Sequence, residues 1–217
     1  MTFQIAILVF DAVEALDFAG PYEVFTTASR VHGRGHPGAP ALFEVACVAR
    51  DLQPVRARAG LRILPDHGFE GSPRCDVLVV PGGVVDAAMA CPATLNWMAR
   101  TAATAQITAS VCTGAFLLAA SGIIQAETVT THWEDVAELR ARFPRLTVRE
   151  DQRWIDGGAV VTSAGISAGI DMCLHLVSRL AGSALAERTA RQMDYPWHGG
   201  DAAPAPAPGP ERMPQAA

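Results

Sequence analysis

With 217 residues, half of them hydrophobic and 18% charged, the chain is long enough for one well-filled core and too apolar to be disordered. A net charge of −5 argues against nucleic acid or an anionic membrane as the main partner, and no apolar run approaches the length of a membrane span. The five cysteines, at 47, 75, 91, 112 and 173, show neither close pairing nor metal-ligand spacing, which reads as a cytoplasmic protein with reduced thiols and no metal site.

Residues 4–10 form an apolar run too short for a signal-peptide core and without a basic flank, and are predicted as the first strand. Residues 18–29, entered through Gly20 and Pro21, carry a helical pattern, and the Gly/Pro/His-rich stretch 32–40 reads as a loop. Phe43–Ala49 is a second strand. Short extended pieces at 55–57 and 61–64 flank Gly60 and predict a small hairpin on one sheet edge. Residues 76–80 are a buried strand ending in Pro81-Gly82-Gly83, and residues 93–103 a helix. Ile107–Val111 is a strand that stops at Cys112, and a helical run over 113–121 follows at once, closed by Gly122. Residues 128–131 are a strand and 134–142 a charged helix. Trp154–Asp156 and residues 159–163 read as paired strands turning at Gly157 and Gly158, and residues 170–180 and 185–193 as closing helices.

This alternation predicts an α/β fold, a doubly wound, mostly parallel sheet with helices on both faces. Residues 1–198 are expected to form one domain, and residues 199–217, rich in alanine and proline, a disordered tail.

The passage through Cys112 carries the chemistry. A strand that ends in a thiol and turns sharply into a helix is the nucleophile-elbow arrangement in cysteine form, with unpaired amides of the helix start available to a developing anion. Taken alone, Cys112 reads first as a small core hydrophobe, and the rest of the chain decides otherwise. Ligands of open parallel sheets bind at the carboxyl ends of the strands. Glu14, Asp17, Gly20, Gly82, Gly83, Cys112, Thr113, His132, Trp133, Ala164, Gly165 and Ile166 all follow such ends. Each also has a plain structural reading. Asp17 is a possible helix cap, Gly82-Gly83 a tight turn, Thr113 a first-turn residue, His132 the opening of a helix, and residues 193–197 a packed terminus.

Together these residues resemble the ThiJ/PfpI superfamily of glutamine-amidotransferase-like, flavodoxin-type folds, over residues 4–197. The marks are Leu-Asp-Phe-Ala-Gly-Pro-Tyr-Glu-Val-Phe at 16–25, Val-Pro-Gly-Gly at 80–83, Ser-Val-Cys-Thr-Gly at 110–114, Thr-Thr-His-Trp at 130–133 and Thr-Ser-Ala-Gly-Ile-Ser-Ala-Gly-Ile-Asp at 162–171. Within the superfamily the first and third strings look most like the isonitrile hydratases, and the same segments occur in sensor domains of some AraC-type regulators. Such regulators continue into a DNA-binding region where this chain has its Ala/Pro-rich tail, so the enzyme is the expected reading. The resemblance implies a lyase that adds water to an isonitrile, with Cys112 as nucleophile, Asp17 as its acidic partner and no cofactor. It places the backbone of Gly82, Gly83 and Thr113, together with His132, Gly165 and Ile166, around a small-molecule substrate, and it implies a homodimer. In other branches a histidine at the position of His132 joins a triad. The alternatives are an α-oxoaldehyde glyoxalase or deglycase leaning on His132, and a non-catalytic cysteine-based sensor.

Overall fold

Along residues 3–8, Ile5 and Ile7 point into one core cluster while Ala6 and Leu8 point into another, and residues 77–80 repeat the alternation with Val77 and Val79 against Leu78 and Val80. Strands apolar on both faces need cover on both, which is the condition for a parallel sheet between helical layers. The structure, a computed structural model, describes residues 1–197 and meets that condition.

Its strands are β1 (Phe3–Leu8), β2 (Phe43–Ala49), β3 (Val55–Arg56), β4 (Arg62–Ile63), β5 (His67–Gly68), β6 (Val77–Val80), β7 (Ile107–Val111), β8 (Thr128–Val129), β9 (Thr147–Val148), β10 (Trp154–Asp156) and β11 (Val160–Ser163). The helices are α1 (Ala15–Gly35), α2 (Asp86–Met89), α3 (Pro92–Ala102), α4 (Gly114–Ala120), α5 (Val136–Arg142), α6 (Ala168–Ala181) and α7 (Ser183–Gln192), with a 3-10 turn at Trp133–Asp135 ahead of α5.

The central sheet has seven strands in the order β10-β11-β7-β6-β1-β2-β5, parallel throughout except for the antiparallel β10–β11 pair. One face buries Phe25 of α1, Met172 and Leu174 of α6, and Leu185 of α7; the other buries Trp97 and Met98 of α3, Leu117 of α4 and Leu139 of α5. The chain winds outward from β1 to β2 and returns to β6 on the other side of β1. The strand order therefore reverses between β1 and β6, and a crevice opens at their carboxyl ends.

Four expectations need correction. The first helix starts at Ala15 rather than 18, with Glu14 as its cap, so Asp17 is not the capping residue. It also runs through Gly33 to Gly35 where a loop was expected. Its last turn is tied down by Arg34 donating to Gln192 of α7 at 2.6 Å and by stacking of His32 on His36, contacts that outweigh the weak helix propensity of glycine. The β3–β4 hairpin forms as its own ribbon and not as a rung of the sheet edge, which β5 occupies instead. It docks over the connection after β1, where Ala12 donates to the Arg56 carbonyl at 2.7 Å and Arg58 to the Val13 carbonyl at 2.9 Å. The strand expected at 128–131 shortens to β8, which pairs in parallel with the unforeseen β9. At the other end of the described chain, Tyr195 and Trp197 pack against the core as a terminus. The expected tail from residue 199 lies outside the described residues.

Candidate active site

Strand β7 ends at Val111 and α4 begins at Gly114, so two residues must reverse the chain. Cys112 does so with φ at 57°, in the left-handed region that costs a non-glycine residue on the order of 1 kcal/mol. The strain is held by partners on both sides. The Cys112 amide donates to the carbonyls of Ser163 and Ala164, each at 3.2 Å, and its carbonyl accepts from the Thr131 hydroxyl at 2.8 Å. The thiol is thereby fixed at the carboxyl end of β7 with 7% of the residue exposed. A second strained residue faces it. Ile166, beyond β11, has φ at 47°, an outlier for a β-branched side chain, and its amide, with that of Thr113, is directed at the Cys112 sulfur.

Asp17 comes from the first turn of α1 and is wholly buried. Its Oδ2 accepts from the Gly82 amide at 3.1 Å, while Oδ1 has no hydrogen-bond partner. Burial pushes its carboxyl up to about 7, and the charge of Glu14 adds to this, against the pull of the Gly82 amide and the neighbouring Cys112 thiol. Burial likewise pushes the Cys112 thiol up to about 12, with the charges of Asp17 and Asp135 adding and the Thr113 and Ile166 amides opposing. Each group thus raises the cost of ionising the other. Moving the thiol proton to Asp17 removes the very charge that opposes the thiolate, so the pair titrates as a unit.

Outside the thiol lies a cavity of about 220 Å³, bounded by His132, Glu134, Asp135, Ile166 and Val84, with Arg58 and Glu14 closing one side as an ion pair at 3.5 Å. His132 Nδ1 lies 3.4 Å from Asp135 and 3.9 Å from Glu134, and among the described residues no hydrogen bond joins its ring to the Cys112 thiol. The other edge of its ring rests on Gly165, where a β-carbon would fall 2.0 Å from Cδ2. Gly82 is similarly required, since a β-carbon there would stand 2.9 Å from Cβ of Cys112.

The structure therefore gathers Asp17, Gly82, Gly83, Cys112, Thr113, His132, Gly165 and Ile166 at one crevice. The division of labour differs from expectation. The Gly82 amide serves Asp17, and the Gly83 amide donates to the Thr113 hydroxyl at 2.9 Å, which in turn donates to the Gly83 carbonyl at 2.9 Å. The amides left facing the sulfur are those of Thr113 and Ile166. Gly20 stays outside the crevice, against Ile170 of α6. Sequence reasoning did not find Arg58, Thr131 or Asp135. Arg58 reaches the cavity through the docking of a hairpin, for which the local sequence carries no signal. Thr131 and Asp135 flank His132 closely enough to have been found. Among the described residues no cluster of three or more His, Cys, Asp or Glu is arranged to hold a metal ion, and no helix is long and apolar enough to cross a membrane.

Residues 3–179 match the sequence profile of the DJ-1/PfpI family. The chain is 35% identical over 196 residues to the isonitrile hydratase of Pseudomonas putida, covering 90% of this chain and 79% of that protein. It is 28% identical over 192 residues to the HTH-type transcriptional regulator GbdR of Pseudomonas aeruginosa, covering 88% of this chain and 50% of the regulator. Among solved structures, a ThiJ/PfpI family protein from Pseudomonas syringae matches with a TM-score of 0.78 at 30% identity, covering 92% of this chain and 79% of that one. Drosophila melanogaster DJ-1beta matches with a TM-score of 0.77 at 17% identity, covering 91% of this chain and all of its own, a likeness of fold alone.

Proposed function

The chain belongs to the DJ-1/PfpI family, and from that premise we propose that it is an enzyme adding water to an isonitrile to give an N-substituted formamide, with Cys112 as nucleophile and Asp17 as proton carrier. The observation that carries this reading is Asp17. It is a fully buried carboxyl with one oxygen unpartnered, set beside a thiol on a strained elbow and balanced between its two protonation states near neutral pH. The reaction asks for those two groups. The thiol proton passes to Asp17 as the sulfur attacks the terminal isonitrile carbon, forming the S–C bond. Asp17 returns that proton to the same carbon, which leaves a thioimidate on Cys112. Water then adds to this carbon, giving one proton to Asp17. Breaking the C–S bond releases the thiolate and the formamide, while the nitrogen and the sulfur recover the remaining protons. The sum is R–NC plus water giving R–NH–CHO, with no electrons transferred. The Thr113 and Ile166 amides stabilise the sulfur whenever it is anionic, and the Gly82 amide orients Asp17. His132 lines the cavity wall, with its Nδ1 facing Asp135 at 3.4 Å.

The test is detection of formamide when freshly reduced protein meets a simple alkyl isonitrile, with Cys112→Ala alongside. Formamide is expected from the native protein and not from the variant. Its absence from the native protein overturns the reading, and methylglyoxal consumption abolished by His132→Ala would put the α-oxoaldehyde chemistry in its place.

A further inference from the structure

Resting on the isonitrile reading, we infer that this site selects its substrate by charge, taking neutral and cationic isonitriles and rejecting those whose substituent carries a carboxylate. The cavity outside Cys112 is walled by three carboxylates, Glu14, Glu134 and Asp135, against one guanidinium, Arg58. That guanidinium is paired with Glu14 at 3.5 Å, so the surplus of negative charge falls on the opposite wall, at Glu134 and Asp135. Glu138 on the next turn deepens it, since Glu134 and Glu138 both push the Asp135 carboxyl upward after burial has done so, against the pull of His132. His132 is the one other titratable side chain on this wall, and it sits between these two carboxylates. Asp17 adds a further negative charge beside the thiol whenever it is ionised.

A carboxylate substituent entering a volume of about 220 Å³ meets this field at short range, where like charges are costly and poorly screened. An ammonium meets its complement in the same field. Val84 and Ile166, 47% and 39% exposed, give a neutral substituent apolar contact. The charge field thus decides which substituents are admitted, while the thiol and Asp17 decide what happens to them.

Two measurements test this, and only one depends on the reaction. The first is labelling of Cys112 by methanethiosulfonates, in which the cysteine sulfur displaces methanesulfinate to give a mixed disulfide, followed by peptide mass mapping. The cationic aminoethyl reagent, scaled to the neutral methyl reagent, should label Cys112 about tenfold faster than the anionic sulfonatoethyl reagent. Glu134→Gln should narrow that ratio and Arg58→Gln, which frees Glu14, should widen it, each by about two- to threefold. Both side chains are well exposed, at 63% and 64%, and neither change disturbs the core. Cys91, in a separate pocket from Cys112 and away from Glu134 and Asp135, is the internal control, and its ratio should not move with Glu134→Gln or Arg58→Gln. The second measurement compares kcat/KM for methyl isocyanoacetate, isocyanoacetate and an aminoalkyl isonitrile, with isocyanoacetate poorest by about tenfold or more.

A ratio of one or an anionic preference at Cys112 overturns the inference, as does a ratio that Glu134→Gln and Arg58→Gln leave unmoved. Equal kcat/KM for the ester and the carboxylate also overturns it. Failure of the neutral reagent to reach Cys112 overturns it along with the site. A cationic preference without formamide from any isonitrile leaves the charge field standing and sinks the isonitrile reading alone.

Discussion

Two of the five cysteines stand at helix starts at the carboxyl rim of the sheet, and they are opposites. Cys91 caps α3, is partly exposed, and has an ordinary extended backbone with φ at −97°. The hydroxyl and amide of Thr94, the Ala93 amide and the charge of Arg50 hold its pKa below the usual thiol value. Cys112, ahead of α4, is buried, strained, and pushed up to about 12. A helix start contributes roughly 0.3–1 kcal/mol to an anion in an exposed setting, less than one pKa unit, which is about 1.36 kcal/mol. Wherever a thiol is wholly desolvated beside a carboxylate, those two effects override it. Ease of ionisation at rest and fitness for catalysis are thus separate properties. Cys91 has the first, and Cys112 has instead a neighbouring buried carboxyl and a rigid frame.

The sharpest way to break this contrast is Asp17→Asn. Turnover of an isonitrile should fall by about 10²–10⁴-fold, the usual span for losing a proton-transfer group. Labelling of Cys112 by iodoacetamide at pH 8 should instead accelerate, because the charge that opposes the thiolate is gone. Native turnover, or slower labelling, would mean that Asp17 does not govern the thiol.

Stability should follow the same carboxyl. Its folded pKa, about 7, lies above the ordinary 3.8, so the folded protein holds a proton that the unfolded chain releases. The stabilisation is complete below pH 3.8, is lost progressively as pH rises towards 7, and is absent above it. Over that window the native protein should lose about 4 kcal/mol relative to Asp17→Asn in denaturant unfolding. Parallel pH profiles for the two proteins would refute the buried, shifted carboxyl.

Gly165→Ala probes the frame. Its methyl group falls on the His132 ring, so a loss of about 1–3 kcal/mol in unfolding free energy is expected. Cys91→Ala, at a site without strain, should move the same measurement by about 0.5 kcal/mol or less. The smallest effect is at Arg50→Gln, which should slow alkylation of Cys91 about two- to threefold and leave Cys112 untouched.

What the sequence disclosed follows from where its information is local. β2 and β7 are dense β-branched runs between turn residues, and their bounds match the predicted ones. β5, at His67–Gly68, has no propensity to advertise it and exists because β2 offers it an edge. The crossing of thiol, acid and paired glycines at one rim was legible because strand ends converge by topology. Whether Asp17 caps a helix or faces inward was not, because the answer depends on Glu14 taking the cap. Arg58 was invisible for the same reason, since docking of a ribbon is tertiary. Ile166 contradicts its own propensity, and local reasoning cannot foresee a β-branched residue at a positive φ.

That residue couples two properties an engineer would wish to vary separately. The Ile166 side chain is part of the cavity wall, while its amide pulls the Cys112 pKa down. Both hang on one backbone torsion in a sparsely populated region. Replacing the side chain changes the pull on that torsion, and glycine, the residue most at ease there, widens the pocket and slackens the amide in a single step. Along this stretch of chain, the shape of the cavity wall and the surroundings of the thiol are one adjustable quantity.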